Sequence, residues 1–172
     1  MTNSIEHLLQ DNPLVPVVTF NAGDDVERFA DYLLEQKVGC IEITLRTLEG
    51  FQAIELLKKK SPDMIVGAGT VVNPEQVNRL VDMGADFMVS PGITKSLINA
   101  FTKSEVPFLC GISTPSEVIS AMEEGINSLK FFPAEINGGV PVLKMYGQLF
   151  PEVRFCPTGG ISAATSANYL AL

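Results

Sequence analysis

Seven short runs rich in branched and aromatic residues recur along this chain roughly every 20–26 residues, and no other feature limits its fold as tightly. The runs are Val15–Phe20, Cys40–Leu45, Met64–Ala68, Phe87–Ser90, Phe108–Cys110, Leu129–Phe132 and Val153–Cys156. Between them lie stretches with helical periodicity: Asp24–Gln36, Leu48–Lys60, Pro74–Met83, Lys95–Thr102, Pro115–Glu124 and Val140–Leu149. Strands alternating with helices are the pattern of βα units around a parallel sheet. Asn73-Pro74 and Thr114-Pro115 each set an N-cap before a proline at the first helical position. Gly39, Gly84 and Gly125 each follow a helix, where a left-handed C-cap is wanted.

Seven such units, followed by Ser162–Leu172 beginning like one more helix, predict an α/β fold of the (β/α)8 TIM-barrel type. The eighth strand and helix have no counterpart in this chain; an open parallel sheet is the alternative. At 172 residues the chain is shorter than the ~200–250 of most such barrels, so a single domain spanning residues 1–172 and truncated at its C-terminus is expected.

Twenty acidic against 12 basic side chains give a net charge of −8, which disfavours nucleic acid and anionic membrane as partners and leaves small molecules. No apolar run reaches the ~20 residues of a membrane span, and the N-terminus has no basic-then-apolar signal, so a cytoplasmic protein is expected. Cys40, Cys110 and Cys156 are far apart in apolar runs and read as core thiols rather than a disulfide or metal framework. His7, in a leading helix, is the sole histidine, so a multi-histidine zinc site within one chain is ruled out.

Alternation along Cys40–Arg46 puts Ile41, Ile43 and Leu45 on one face and Glu42, Thr44 and Arg46 on the other. In a parallel barrel helices cover the outside, so the polar set points inward and Glu42 and Arg46 approach the C-terminal mouth, where barrel active sites sit. The plainer reading is a buried ion pair filling the barrel, at a large desolvation penalty. In Ser128–Pro133 the same alternation turns Lys130 inward with Ser128 and Phe132. An ordinary lysine is only about 0.04% neutral at pH 7, so a nucleophilic amine needs an apolar setting or a nearby cation. Phe131, Phe132 and Pro133 would supply the first and Arg46 the second. A lysine snorkelling from a strand edge is the plainer alternative. Gly-rich turns are expected after several strands: Gly67-Ala68-Gly69-Thr70, Ser90-Pro91-Gly92, Gly111–Thr114 and Thr158-Gly159-Gly160, the last where barrels commonly hold a phosphate.

Taken together, Ile41–Thr47, Val66–Val71, Ser90-Pro91-Gly92, Lys130–Glu135 and Arg154–Ile161 resemble, in order and spacing, the 2-keto-3-deoxy-6-phosphogluconate (KDPG) aldolases, also known as 4-hydroxy-2-oxoglutarate (KHG) aldolases. The resemblance runs from about Leu14 to Leu172 and implies a class I aldolase. Such an enzyme cleaves KDPG into pyruvate and glyceraldehyde 3-phosphate, the closing step of the Entner–Doudoroff route, with no cofactor and usually as a homotrimer. It implies Lys130 as the Schiff-base lysine, Glu42 as the acid/base, and Arg46 and Thr70 as holders of the ketoacid carboxylate. Pro91, Phe132, Thr158, Gly159 and Gly160 complete the expected substrate contacts. Family members continue into an eighth strand whose Gly-Gly-Ser turn completes the phosphate site. Two other readings stand beside this one: a sister aldolase for the galactonate epimer, and a noncatalytic phosphosugar-binding barrel.

Overall fold

In the first turn of the leading helix Ser4 accepts a hydrogen bond from the His7 amide, the start signal of α1 (Ile5–Asp11). The structure, a computed structural model, describes residues 4–172, and the chain divides into two compact units. The first runs through Ser90 and resumes over Thr94–Phe108; the second comprises Pro91–Ile93 and Leu109–Leu172.

In the first unit α1 is followed by β1 (Val17–Val18), α2 (Val26–Glu35), β2 (Cys40–Thr44), α3 (Glu49–Lys60), β3 (Ile65–Gly69), α4 (Pro74–Asp82), β4 (Phe87–Val89) and α5 (Lys95–Ser104). Strands β1 to β4 pair in parallel in chain order, with Val17 beside Glu42, Glu42 beside Gly67 and Gly67 beside Phe87. Asp25, Asn73 and Thr94 begin α2, α4 and α5, each accepting from the amide three residues on. The helices bury residues at three- and four-residue spacing, Ala53, Ile54 and Leu57 on α3 and Leu97, Ile98 and Phe101 on α5. Each such large side chain contributes about 1.5–3 kcal/mol relative to exposure. At the start of β3, Asp86 accepts the Val66 amide and the Lys58 ammonium, each at 2.7 Å, which pins α3 to the sheet at the end away from the strands' C-termini.

The second unit holds β5 (Phe108–Ile112, all but its first residue), α6 (Pro115–Glu123), β6 (Ser128–Phe131), α7 (Gly139–Leu149), β7 (Arg154–Pro157) and α8 (Ser166–Leu170). Its ladder is again parallel, Cys110 beside Leu129 and Lys130 beside Cys156. Thr114 and Glu117 form a reciprocal capping box at the head of α6. Tyr146 of α7 gathers the rings of Phe131, Phe150 and Phe155 at 5.7–6.1 Å and donates its hydroxyl to the Ser113 carbonyl.

All seven expected strands are present, with several corrections. The first is two residues long rather than six, because β1 is the edge of its ladder and is preceded by Pro13 and Pro16, which have no N–H to offer. Gly39 is not the left-handed C-cap of α2. That helix closes earlier, with Val38 N–H on Leu33 O and Lys37 N–H on Leu34 O, so the left-handed position falls on Lys37, φ 61. Gly84 and Gly125 take the same role after α4 and α6, at φ 72 and 77. Gly67 and Gly69 belong to β3, Gly69 as its last residue, and Gly111 to β5, strand positions rather than turns.

Candidate active site

Every residue of β2 is buried, and the strand's two faces differ as alternation requires: Ile41 and Ile43 are apolar and sealed, while Glu42 is 5% and Thr44 1% exposed. Glu42 stands beside Gly67 in register, yet its carboxyl lies against Gly69, one pleat nearer the C-terminal end of β3. A β-carbon at Gly69 would stand 2.7 Å from the Glu42 carboxyl carbon, so the bare backbone there is what gives the carboxylate its room. Thr44 shares a 2.7 Å hydrogen bond with Thr19 Oγ1, and Thr47 donates to the Phe20 carbonyl at 2.7 Å, tying the segments after β1 and β2 together. Burial, followed by the carboxylates of Asp86 and Glu42, pushes the Cys40 thiol up to about 12, so it is an inert core group.

Thr70 directly follows β3 at φ 61, a left-handed conformation that a β-branched residue adopts at a cost of about 1–2 kcal/mol. Arg46 is a correction. It lies not on β2 but in the turn after it, two residues past Thr44, and it is exposed. The strand stops because α3 begins at Glu49 with Gly50 packed on the Thr44 carbonyl, so the chain has to reverse between Leu45 and Leu48. A wholly buried Glu42–Arg46 pair is thereby excluded.

In the second unit Lys130 sits inside β6 at 5% exposure. Its register neighbours are Gly111 of β5 and Cys156 of β7. Gly111 has no side chain, and the space where one would stand is taken by the backbone of Pro91 and Gly92. In a parallel ladder register partners present their side chains to the same face, so the Pro91 carbonyl occupies the slot beside Lys130. Pro91 itself is exposed. The Phe132 ring centre is 5.1 Å from Lys130 Nζ, whereas Phe131 turns to the opposite face and meets Tyr146. Of the two phenylalanines, Phe132 is therefore the one set against the amine.

The turn after β7 is knitted to the segment after β6. Thr158 N–H donates to Phe131 O, Ala134 N–H to Thr158 O and Glu135 N–H to Gly159 O, at 2.8–3.1 Å. Gly159 and Gly160 have φ of 101 and 79, open only to glycine, and Gly159 packs against the Phe132 ring. Consecutive backbone N–H groups in such a turn can face an anion. The structure thus holds Glu42 inside β2 and Thr70 just past β3 in one unit, and Pro91, Lys130, Phe132 and Thr158–Gly160 in the other. Sequence reasoning missed the role of Gly69 as room for Glu42, and the Thr19–Thr44 hydroxyl pair, whose only signal was a threonine in each run.

Comparison with known proteins places the whole chain. Residues 5–172 match the family model described as KDPG and KHG aldolase. The KHG/KDPG aldolase of Escherichia coli K12 is 44% identical over 169 residues, 98% of this chain and 79% of that protein. Among solved structures, KDPG aldolase from Legionella pneumophila, holding pyruvate as a covalent carbinolamine, is 41% identical with a TM-score of 0.90, covering 94% of this chain and 78% of that one. The KDPG aldolase of Zymomonas mobilis with 3-phosphoglycerate reaches a TM-score of 0.94 at 34% identity, covering 99% and 81%. The fold is thus of the (β/α) TIM-barrel type, with seven of the eight strands of such a barrel. By sequence, by motif and by backbone this chain belongs to the KDPG and KHG aldolase family, whose members are lyases.

Proposed function

We propose that the protein is a class I aldolase that cleaves KDPG into pyruvate and glyceraldehyde 3-phosphate, with Lys130 as the amine and Glu42 as the proton carrier. The observation that carries this reading is a lysine 5% exposed inside β6, in a chain 44% identical to a KHG/KDPG aldolase. Lysines are among the residues least often buried, and a site that binds a ketoacid is one setting that holds them there. A relative that captures pyruvate as a carbinolamine supports the same reading, since that adduct is an amine joined to the ketone carbon.

The chemistry then follows. Lys130 Nζ adds to C2 of the substrate, and loss of water leaves a protonated imine. Glu42 takes the proton of the C4 hydroxyl. The C3–C4 bond breaks, its electron pair forms the C2–C3 double bond of an enamine, the imine nitrogen is neutralised, and the aldehyde departs. Glu42 returns its proton to C3, and water releases pyruvate and the free lysine. The imine is the electron sink, so these steps call on no metal or organic cofactor. Arg46 and Thr70 hold the ketoacid carboxylate, Pro91 and Phe132 line the amine, and Thr158, Gly159 and Gly160 receive the phosphate. On this reading residues 1–172 form one barrel domain, working as a cytoplasmic homotrimer in the Entner–Doudoroff route, and also cleaving KHG to pyruvate and glyoxylate.

Intact mass after incubation with pyruvate and borohydride tests the covalent step, because reduction fixes an imine on its lysine. A pyruvyl adduct in the wild type and none in Lys130→Ala is expected. No adduct on folded wild-type protein would overturn the reading. Comparing KDPG with its C4 epimer tests the substrate, and equal rates would remove the preference for the gluconate series.

A further inference from the structure

Tyr169 is 8% exposed although it lies on the five-residue helix α8, three residues from the end of the chain. Its hydroxyl donates a 2.5 Å hydrogen bond to Glu135 Oε1, 34 residues back in sequence. The same hydroxyl packs against Gly139 at the head of α7, where a β-carbon would come within 3.0 Å of it. Glu135 in turn lies over Gly160, leaving 2.8 Å for a β-carbon there, and its amide donates to the Gly159 carbonyl. One hydroxyl, one carboxylate and three glycines thus meet at the turn that follows β7. Nothing in the aldol chemistry uses Glu135 or Tyr169.

We propose that Tyr169 is a positioning residue for the Thr158-Gly159-Gly160 turn, acting through Glu135, and so sets affinity for the phosphate end of the substrate; this rests on the functional reading above. The turn has two glycines at positive φ and is held to the last residue of β6 and the segment after it by three backbone hydrogen bonds. Glycine-rich backbone is soft, and its amides face an anion well only when something outside the turn fixes it. Glu135 is attached to the turn by its own amide, and Tyr169 fixes the other end of Glu135. Burial, followed by the bonded Glu135 carboxylate, pushes the Tyr169 hydroxyl up to about 12, so it remains a donor throughout the neutral range. Lys130 lies on β6 one residue before Phe131, the first residue tied to the turn, so the latch acts beyond it.

The test uses Tyr169→Phe, Glu135→Ala and Glu135→Gln in the full chain. Tyr169→Phe and Glu135→Ala are expected to raise KM for KDPG about tenfold, as when hydrogen bonds to a charged group are weakened rather than deleted. Both should leave kcat, KM for unphosphorylated KHG and borohydride trapping of pyruvate near wild type. Glu135→Gln keeps an acceptor oxygen and should restore most of the affinity. Hydrogen exchange supplies a readout independent of any reaction: the Thr158, Ala134 and Glu135 amides should exchange faster in Tyr169→Phe, with β6 unchanged. Unchanged exchange there, or equal KM changes for both substrates, overturns the proposal. A wild type that traps no pyruvate would sink the functional reading instead, and the exchange result would still decide the latch.

Discussion

Replacing Gly69 by alanine inserts one methyl group where the Glu42 carboxyl now lies. The new carbon would stand 2.7 Å from Cδ and 2.8 Å from Cγ of Glu42. Ordinary carbon contacts are about 3.5–4.0 Å, so the carboxyl has to retreat by about 1 Å. A displacement of that size in a reacting group costs roughly 100-fold in rate, about 2.7 kcal/mol of transition-state stabilisation. Overpacking a buried strand adds about 1–3 kcal/mol of destabilisation, or roughly 2–12 °C in Tm for a chain of this length. Stability and catalysis fall together, so the single variant does not separate them.

Gly67→Ala supplies the separation. Gly67 lies two residues earlier on the same face of β3, and its added methyl would meet the Phe87 ring instead of Glu42. The overpacking is at least as severe, because three atoms of the buried Phe87 ring would lie within 2.4 Å of the new carbon, and it falls on the ring rather than on the carboxylate. In a pyruvate-release assay on KDPG, scaled to folded protein by calorimetry, Gly69→Ala should lose about two orders of magnitude in kcat. Gly67→Ala should lose less than about threefold while its Tm falls as far. Equal losses of activity in the two, or full activity in folded Gly69→Ala, would refute the claim that bare backbone at Gly69 exists to seat Glu42.

Two further outcomes follow from the geometry. Thr70→Gly should keep or slightly raise Tm, because glycine takes φ 61 without the ~1–2 kcal/mol that threonine bears there, while pyruvate trapping needs about tenfold more ketoacid once the hydroxyl is gone; a Tm loss above about 5 °C would contradict the strain. Burial raises the Glu117 carboxyl, but hydrogen bonds from Ser113 and Thr114 outweigh it and hold the group below the ordinary glutamate value. The folded value being the lower one, this stabilisation is complete above about pH 4.3 and is lost as pH falls through the folded value. The Tm gap between wild type and Glu117→Gln should therefore be widest near neutrality and close in acid, and a gap indifferent to pH would refute it.

Much of the fold could be read directly because its signals are local. The seven apolar runs, the caps at Asn73 and Thr114 and the left-handed glycines after α4 and α6 each act within a few residues. The burial of Lys130 and Glu42 within their strands was legible for the same reason: period-two alternation decides the face of a strand residue without knowledge of its partner. Alternation fails where the strand ends, and nothing in Thr44-Leu45-Arg46 announces that β2 stops at Thr44. Its end is set by the approach of Gly50 to the Thr44 carbonyl, a packing fact. Glu135 and Tyr169 were invisible for a related reason, since 34 residues separate two polar side chains that carry no shared pattern.

The glycines make the distinction sharpest, because one letter serves two physical needs. Gly159 and Gly160 are glycine for the backbone, at φ values that other residues resist. Gly67, Gly69 and Gly111 lie in extended strands and are glycine for their neighbours: the Phe87 ring, the Glu42 carboxyl and the Pro91 carbonyl. Read as letters, all five suggest turns. Only the neighbour tells them apart, and for Gly69 and Gly111 the neighbour belongs to the expected chemistry. Gly69 clears space for the acid, and Gly111 admits a backbone carbonyl to the slot beside the amine. Each of the two ionisable groups on which the proposed reaction depends thus has, on an adjacent strand, a residue with no side chain. Enlarging either one should disturb the chemistry although neither glycine is itself a reacting group.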